Sequence, residues 1–145
     1  MSDLESLVTS FARLYVDLMR TFDRRMAEEG ASLARTKLLI VLEREGPMRG
    51  TAIAERFSHS PRTVTEAIDG LERDGLIRRR PDPEDRRAKL VEITVKGKAA
   101  VKRTEPLRKH MIEQTFGVLE PAERSVFDQS IAKISAALHD LPTKR

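Results

Sequence analysis

Residues 51–94 read TAIAERFSHSPRTVTEAIDGLERDGLIRRRPDPEDRRAKLVEIT, and this stretch decides the fold. Its first piece belongs to a short helix over roughly residues 50–57, with Ile53, Ala54 and Phe57 inward. Ser60 then offers a hydroxyl that can accept an amide hydrogen of a first helical turn, and Pro61 suits the position after it, where a missing N–H is no loss. The helix that follows, 61–74, turns Val64, Ile68 and Leu71 inward and carries Ser60, Arg62, Thr63 and Glu66 on its other face, all small or polar. Gly75 closes it. Beyond it, Leu76–Arg80 and Leu90–Val95 read as two strands; in the second, Val91, Ile93 and Val95 alternate with Leu90, Glu92 and Thr94, the period of a half-buried strand. Pro81-Asp82-Pro83-Glu84-Asp85 between them is a turn-rich loop. Arg78, Arg79, Arg80, Arg86, Arg87 and Lys89 lie on or beside this hairpin, with Arg78 and Arg80 on one side of the strand and Arg79 on the other.

Two short helices joined by a tight turn, the second with a polar outer face, followed by a basic hairpin, make a winged helix-turn-helix, a module that reads DNA. The rest of the chain is organised around it. Leu4, Leu7, Phe11, Leu14, Leu18, Phe22 and Met26 are spaced alternately by three and four, the stripe of a long amphipathic helix that Gly30 ends. That helix has too little chain around it to bury the stripe alone. A helix over 33–45 turns Leu38, Leu39, Val41 and Leu42 inward and stops at Gly46-Pro47. Thr94 caps a helix starting near Lys96, whose face includes Val101, Leu107, Met111, Phe116 and Leu119 and which Pro106 should kink. Glu120-Pro121 opens a last helix with Val126, Phe127, Ile131, Ile134 and Leu138 on one face. The expected fold is mainly α with a small β-hairpin wing. Residues 33–99 form the DNA-binding lobe, and residues 1–32 and 100–145 form dimerisation helices.

Bulk properties narrow the function classes. The chain has 145 residues, 39% hydrophobic and 34% charged, enough apolar content to fold and too much for disorder. Aromatics are 4% with no Trp, which argues against a stacking platform for single strands. Net charge is +4 and the pI about 9.7, compatible with an anionic partner. Without Cys there is no disulfide, thiolate site or cysteine redox chemistry. The N-terminus carries Asp3 and Glu5 and lacks a basic segment before an apolar run, so it does not read as a signal peptide. No apolar run approaches the ~20 residues of a membrane span, and a cytoplasmic protein without a membrane partner is expected. His59, His110 and His139 are scattered without ligand spacing, so neither metal nor cofactor is expected. No phosphate loop, nucleophile elbow or His/Asp/Ser grouping marks an enzyme.

The run from Ser60 to Thr94 resembles the MarR family of bacterial transcriptional regulators, through SPRTVT…LERDGLI and then DRRAKLVEIT leading into VKG. The Asp-Arg-Arg ten residues after Gly75 is the most specific part of the likeness, which extends more weakly over the whole chain. The resemblance implies a homodimer held by the terminal helices, with two recognition helices entering successive major grooves of a pseudo-palindromic double-stranded operator. It implies that Arg87 enters the minor groove, that Arg86 lies close to the backbone, and that Asp85 orients the arginines. Ser60, Arg62, Thr63, Thr65 and Glu66 fall where such a helix meets DNA. The family often binds small aromatic acids in a cleft between dimer helices and DNA-binding lobe, and Phe11, Leu14, Tyr15, Leu38 and Leu39 are the candidate lining here.

The chain departs from the family pattern in two places. Arg49-Gly50 stands where the helix before the turn usually opens on Ser or Thr, so Arg49 is expected to reach a phosphate. Glu66 stands where a basic residue is common; an acid there can accept from a cytosine amino group. The expected function is a sequence-specific transcriptional regulator, a repressor released by a small ligand. The alternative is a winged-helix protein-interaction module that does not bind DNA specifically.

Overall fold

A computed structural model of the chain describes residues 2–143; the extreme ends of the expected segments 1–32 and 100–145, residues 1, 144 and 145, lie outside the described residues. The elements in order are α1 (Asp3–Glu28), α2 (Leu33–Glu45), β1 (Met48–Arg49), α3 (Gly50–Phe57), α4 (Pro61–Arg73), β2 (Ile77–Pro81), β3 (Lys89–Ile93), α5 (Val95–Thr115), a 3-10 turn (Phe116–Val118) and α6 (Pro121–His139). The architecture is mainly helical with a small antiparallel wing. The chain forms two compact units, Met1–Leu107 and Arg108–Arg145.

In the first unit one core joins α2, α3, α4 and the sheet. Leu38, Leu39 and Leu42 of α2 meet Ile53 of α3, Val64, Ile68 and Leu71 of α4, Ile77 of β2, Val91 of β3 and Val101 of α5. All but Ile77 are positions that helical and strand periodicity turned inward, and Leu71 is wholly buried. Cutting such a side chain to Ala typically costs ~2–5 kcal/mol. The outer positions of α4 stay polar because the core takes only one stripe of it.

The helix ends follow local chemistry. Ser60 caps α4, its hydroxyl accepting from the Thr63 amide at 3.2 Å. Gly75 has φ +76, the left-handed turn that leads out of α4. Asp74, beside it, takes Arg35 of α2 at 2.7 Å, and this guanidinium holds its carboxyl below the usual range.

The strands differ in detail from the reading above. They run one residue later at the start of β2 and end two residues earlier in β3, because Thr94 turns the chain. Its hydroxyl donates to the Gly75 carbonyl at 2.6 Å and accepts from the Gly97 amide at 3.1 Å. Val95 is therefore the first residue of α5 and is exposed, not an inward strand residue. A third strand, β1, lacked any signal in two residues; it pairs Met48 with Val91 and Arg49 with Leu90, giving the order β1-β3-β2. Close packing requires a glycine at Gly97, where a Cβ would lie 2.2 Å from the Leu76 carbonyl oxygen. That close approach seats the first turn of α5 beside the start of the wing.

The stripe of α1 divides in two. Met26 is fully buried and Leu18 and Phe22 are half-buried, whereas Leu4, Leu7, Phe11 and Leu14 are 52–72% exposed. In the second unit α5 closes at Thr115, so Phe116 sits in the 3-10 turn and not on the helix. Pro106 lies inside α5 without ending it. Phe116 and Phe127 approach to 6.3 Å between ring centres. Val126, Ile131, Ile134 and Leu138 of α6 remain 45–63% exposed. Among the described residues no helix is long and apolar enough to cross a membrane.

Candidate nucleic-acid interface

The charges of the wing divide by partner. Arg78 and Arg80 point to one side of β2, as their alternation requires, and both bond Glu92 of the paired strand, Arg80 at 2.9 Å. The two guanidiniums, Arg78 foremost, hold the Glu92 carboxyl below its ordinary range. Arg79 points to the other side and joins Glu72 and Asp69 of α4, with a 2.7 Å bond to Glu72. Its burial works against the charge, but the two carboxylates outweigh that and raise its affinity for the proton. The three consecutive arginines therefore tie the hairpin to itself and to α4.

Arg86 and Arg87 have no such partner. Both are exposed, and among the described residues neither guanidinium makes a hydrogen bond or ion pair. The loop that presents them is tightly wound. Asp85 accepts from the Arg87 amide at 3.0 Å, and the Ala88 amide donates to the Asp85 carbonyl at 3.0 Å. Asp85 thus orients the backbone of the arginine pair by a turn, not by a salt bridge to a guanidinium. Lys89, at the start of β3, is also exposed and unpaired among the described residues, a third free cation that the charge run alone did not separate from its neighbours.

On α4 the expected contact face is exposed. Arg62 and Glu66 bridge at 3.3 Å one turn apart, with side chains 90% and 68% accessible. The Ser60 and Thr63 hydroxyls bond each other at 2.9 Å, and the Thr65 hydroxyl donates back to the Pro61 carbonyl at 2.9 Å. A groove of about 420 Å³ runs between α4 and the wing, with Pro61 and Thr65 on one wall and Ala88 and Lys89 on the other. The reading helix and the wing thus border a common groove.

Arg49 is engaged within the protein. It gives α3 no side-chain cap; its Nε and Nη2 bond Asp82 at 2.8 and 2.6 Å. The Asp82 partnership was not legible because 33 residues separate the two.

Comparison with known proteins fits this geometry. The MarR family model matches residues 32–89. YkoM, an HTH-type transcriptional regulator of Bacillus subtilis, is 30% identical over 132 residues, covering 91% of this chain and 84% of YkoM. The chain belongs to the MarR family. Two solved structures share its fold. AbsC, a MarR-family transcriptional regulator from Streptomyces coelicolor, superposes with a TM-score of 0.85 over 97% of this chain and 98% of AbsC, at 18% identity. MepR of S. aureus, solved as a complex with DNA, has a TM-score of 0.77 over 90% of this chain and 96% of MepR, at 20% identity.

This MarR-family transcriptional regulator has a cleft of about 750 Å³ between α1, α2 and the helix-turn-helix. Tyr15 and Leu38 line it, together with Arg20, Lys37 and His59. Three of the expected lining residues lie elsewhere: Leu39 is in the core, and Phe11 and Leu14 are on the exposed half of α1, where Phe11 meets the Tyr15 ring at 6.4 Å. The resemblance named residues of α1 and α2, and of these only Tyr15 and Leu38 line this cleft. Among the described residues, no group of three or more His, Cys, Asp or Glu side chains is placed to hold a metal ion.

Proposed function

We propose that this regulator works in the cytoplasm as a homodimeric repressor that grips a pseudo-palindromic operator and is released by a small anionic aromatic ligand. The observation that carries the DNA reading is the pair of unpartnered guanidiniums, Arg86 and Arg87, on a wound loop beside the polar face of α4. Phosphate contacts supply most of the affinity and its salt dependence, while Arg62, Thr63 and Glu66 meet base edges in the major groove. Arg87 suits a narrow minor groove, where negative potential concentrates. Residues 33–99 serve as the reading lobe and the terminal helices as the pairing apparatus.

Dimerisation is supported by the apolar side chains that α1 and α6 each leave open, surface that a monomer has reason to cover. The reading helices of the pair must sit about 34 Å apart, one duplex turn. A ligand that favours a different spacing releases DNA by population shift. The cleft beside Tyr15 offers an aromatic ring with Arg20 and Lys37 at its wall, which suits a carboxylate on a ring.

The test is a titration of the full-length protein against its own upstream DNA and against random duplex, at fixed salt, with Arg87→Ala alongside. The expected result is preference for the upstream DNA and a loss of ~1–3 kcal/mol in the variant. Equal binding of both duplexes would favour a protein-docking module instead. A sedimentation measurement returning the mass of one chain would remove the two-headed grip. Adding hydroxylated benzoates to the complex tests release; no displacement by any of them would remove that ligand class.

A further inference from the structure

We propose that Arg49 is a positioning residue for the wing: a strap across the sheet that fixes the loop carrying Arg86 and Arg87 relative to α3 and α4, and not itself a DNA contact. The inference rests on the reading of the wing as a DNA-binding element.

The strap is built from three observations. First, β1 sits on the far side of β3 from β2, so the Arg49 side chain starts on one edge of the sheet and ends at the chain leaving the other. Second, its target is built to receive it. Asp82 is only 6% exposed and opens the wing loop, its amide donating to the Ala88 carbonyl at 3.1 Å. One carboxylate oxygen accepts from the Glu84 amide at 2.9 Å, and the other takes both Nε and Nη2 of Arg49. The Glu84 amide first, and Arg49 after it, hold the Asp82 carboxyl below its ordinary range, so the anion persists at neutral pH. Third, the residue is spent on this bond at the place where α3 would otherwise have a capping side chain.

The loop from Asp82 to Ala88 is wound by its own hydrogen bonds, through Asp82, Asp85 and Ala88. Internal bonds fix its shape but not its aim. Arg49 adds an anchor at its base to the start of α3, and Arg79 anchors β2 to α4 from the other side. Together they hold one spacing between the two reading elements, and a displacement of about 1 Å is enough to weaken a positioned contact.

The experiment uses full-length protein and a duplex that the wild type selects from random-sequence DNA. Arg49→Ala is compared with Arg49→Lys, Asp82→Asn and the double variant Arg49→Gln/Asp82→Asn. Asp82→Asn keeps an acceptor for the Glu84 amide and removes the charge. Arg49→Ala is expected to weaken binding roughly tenfold, the scale of coupling within one ion-pair network. Its slope of log affinity against log salt stays at the wild-type value, because no phosphate contact is lost. Hydroxyl-radical protection is lost at the minor-groove flanks while major-groove methylation protection persists. Arg49→Lys recovers part of the affinity, and the double variant is no worse than the poorer single one.

A salt slope smaller by about one would make Arg49 a phosphate contact and overturn the proposal. So would unchanged affinity, additive single variants, or protection lost evenly over the site. Arg87→Ala separates this failure from that of the underlying reading. If Arg87→Ala abolishes flank protection and Arg49→Ala does nothing, only the strap falls. If Arg87→Ala also does nothing, or the wild type selects no duplex, the wing reading falls and takes the strap with it.

Discussion

The arginines of β2 and those of the wing tip lie a few residues apart in the chain and have opposite fates. Arg78, Arg79 and Arg80 spend their charge on Glu92, Asp69 and Glu72, all within the first unit. Arg86 and Arg87 stand on a turn whose carboxylate, Asp85, bonds the backbone and leaves the guanidiniums alone. Strand residues alternate sides and meet neighbours on both, whereas a loop tip meets solvent. A run of basic residues therefore overstates the charge available to a partner. Here the paired arginines shape the hairpin, and the unpaired ones keep their charge free for a partner.

The sharpest way to break that contrast is to remove both tip arginines. Arg86→Ala/Arg87→Ala should lose ~1–3 kcal/mol of operator binding per contact and shed salt dependence, with the melting temperature unchanged. Melting curves and salt titrations on one preparation check both halves. A double variant that melts early would place the tip among the structural arginines and erase the distinction.

Arg79→Ala should do the reverse. Its side chain is 26% exposed and joins α4 through two carboxylates, so its loss should cost ~1 kcal/mol of folding stability, the upper range for a partly exposed network. The salt slope of DNA binding should not move. Denaturant unfolding monitored alongside binding decides it, and a variant of full stability with a reduced slope would turn Arg79 into a phosphate contact.

Glu92 adds a pH signature to the paired class. Arg78 and Arg80 hold its folded-state pKa below the ordinary 4.5. Its stabilising effect is therefore complete above that value and lost as pH falls through the lower folded value. Wild-type melting temperature should drop with acidification from about pH 4.5 downward, and Glu92→Gln should flatten that part of the curve. A variant curve parallel to wild type throughout would mean that the two arginines gain nothing from this carboxylate. The tip arginines, bonded to no carboxylate, have no counterpart to this pair.

Much of this was legible in the residues, and what escaped has physical causes. The helix starts at Ser60 and Thr94 and the inward positions Ile53, Val64, Ile68 and Leu71 depend on local caps and periodicity, which the chain displays openly. Strand β1 escaped because two residues carry no period; pairing with β3 alone makes Met48 and Arg49 a strand. The Arg49–Asp82 pair escaped because the carboxylate lies 33 positions away, beyond any local pattern. Val95 was counted as strand because alternation continued through it, while the Thr94 hydroxyl had already turned the chain. The cleft misled most: Leu38 and Leu39 are adjacent in sequence, yet only Leu38 reaches its wall. Adjacent helical positions point about 100° apart, and tertiary packing chooses between them.

Between the paired and the free arginines stands Arg62, bridged to Glu66 one turn away with both side chains largely in water. A surface pair of this kind is worth ~0.3–0.5 kcal/mol, so Glu66→Gln should scarcely alter folding. Under the proposed mode of DNA reading, its consequence belongs to recognition. With Glu66 present, Arg62 is partly neutralised and the helix offers an acceptor toward a cytosine amino group. With Gln there, Arg62 is released and the acceptor gains a donor beside it, the pattern that suits adenine. Selection of duplexes from random DNA by wild type and variant should therefore give sites of similar affinity that differ at one or two symmetric positions. Identical selected sites would show that Glu66 touches no base, and would leave Arg62 as a lightly tethered member of the unpaired class.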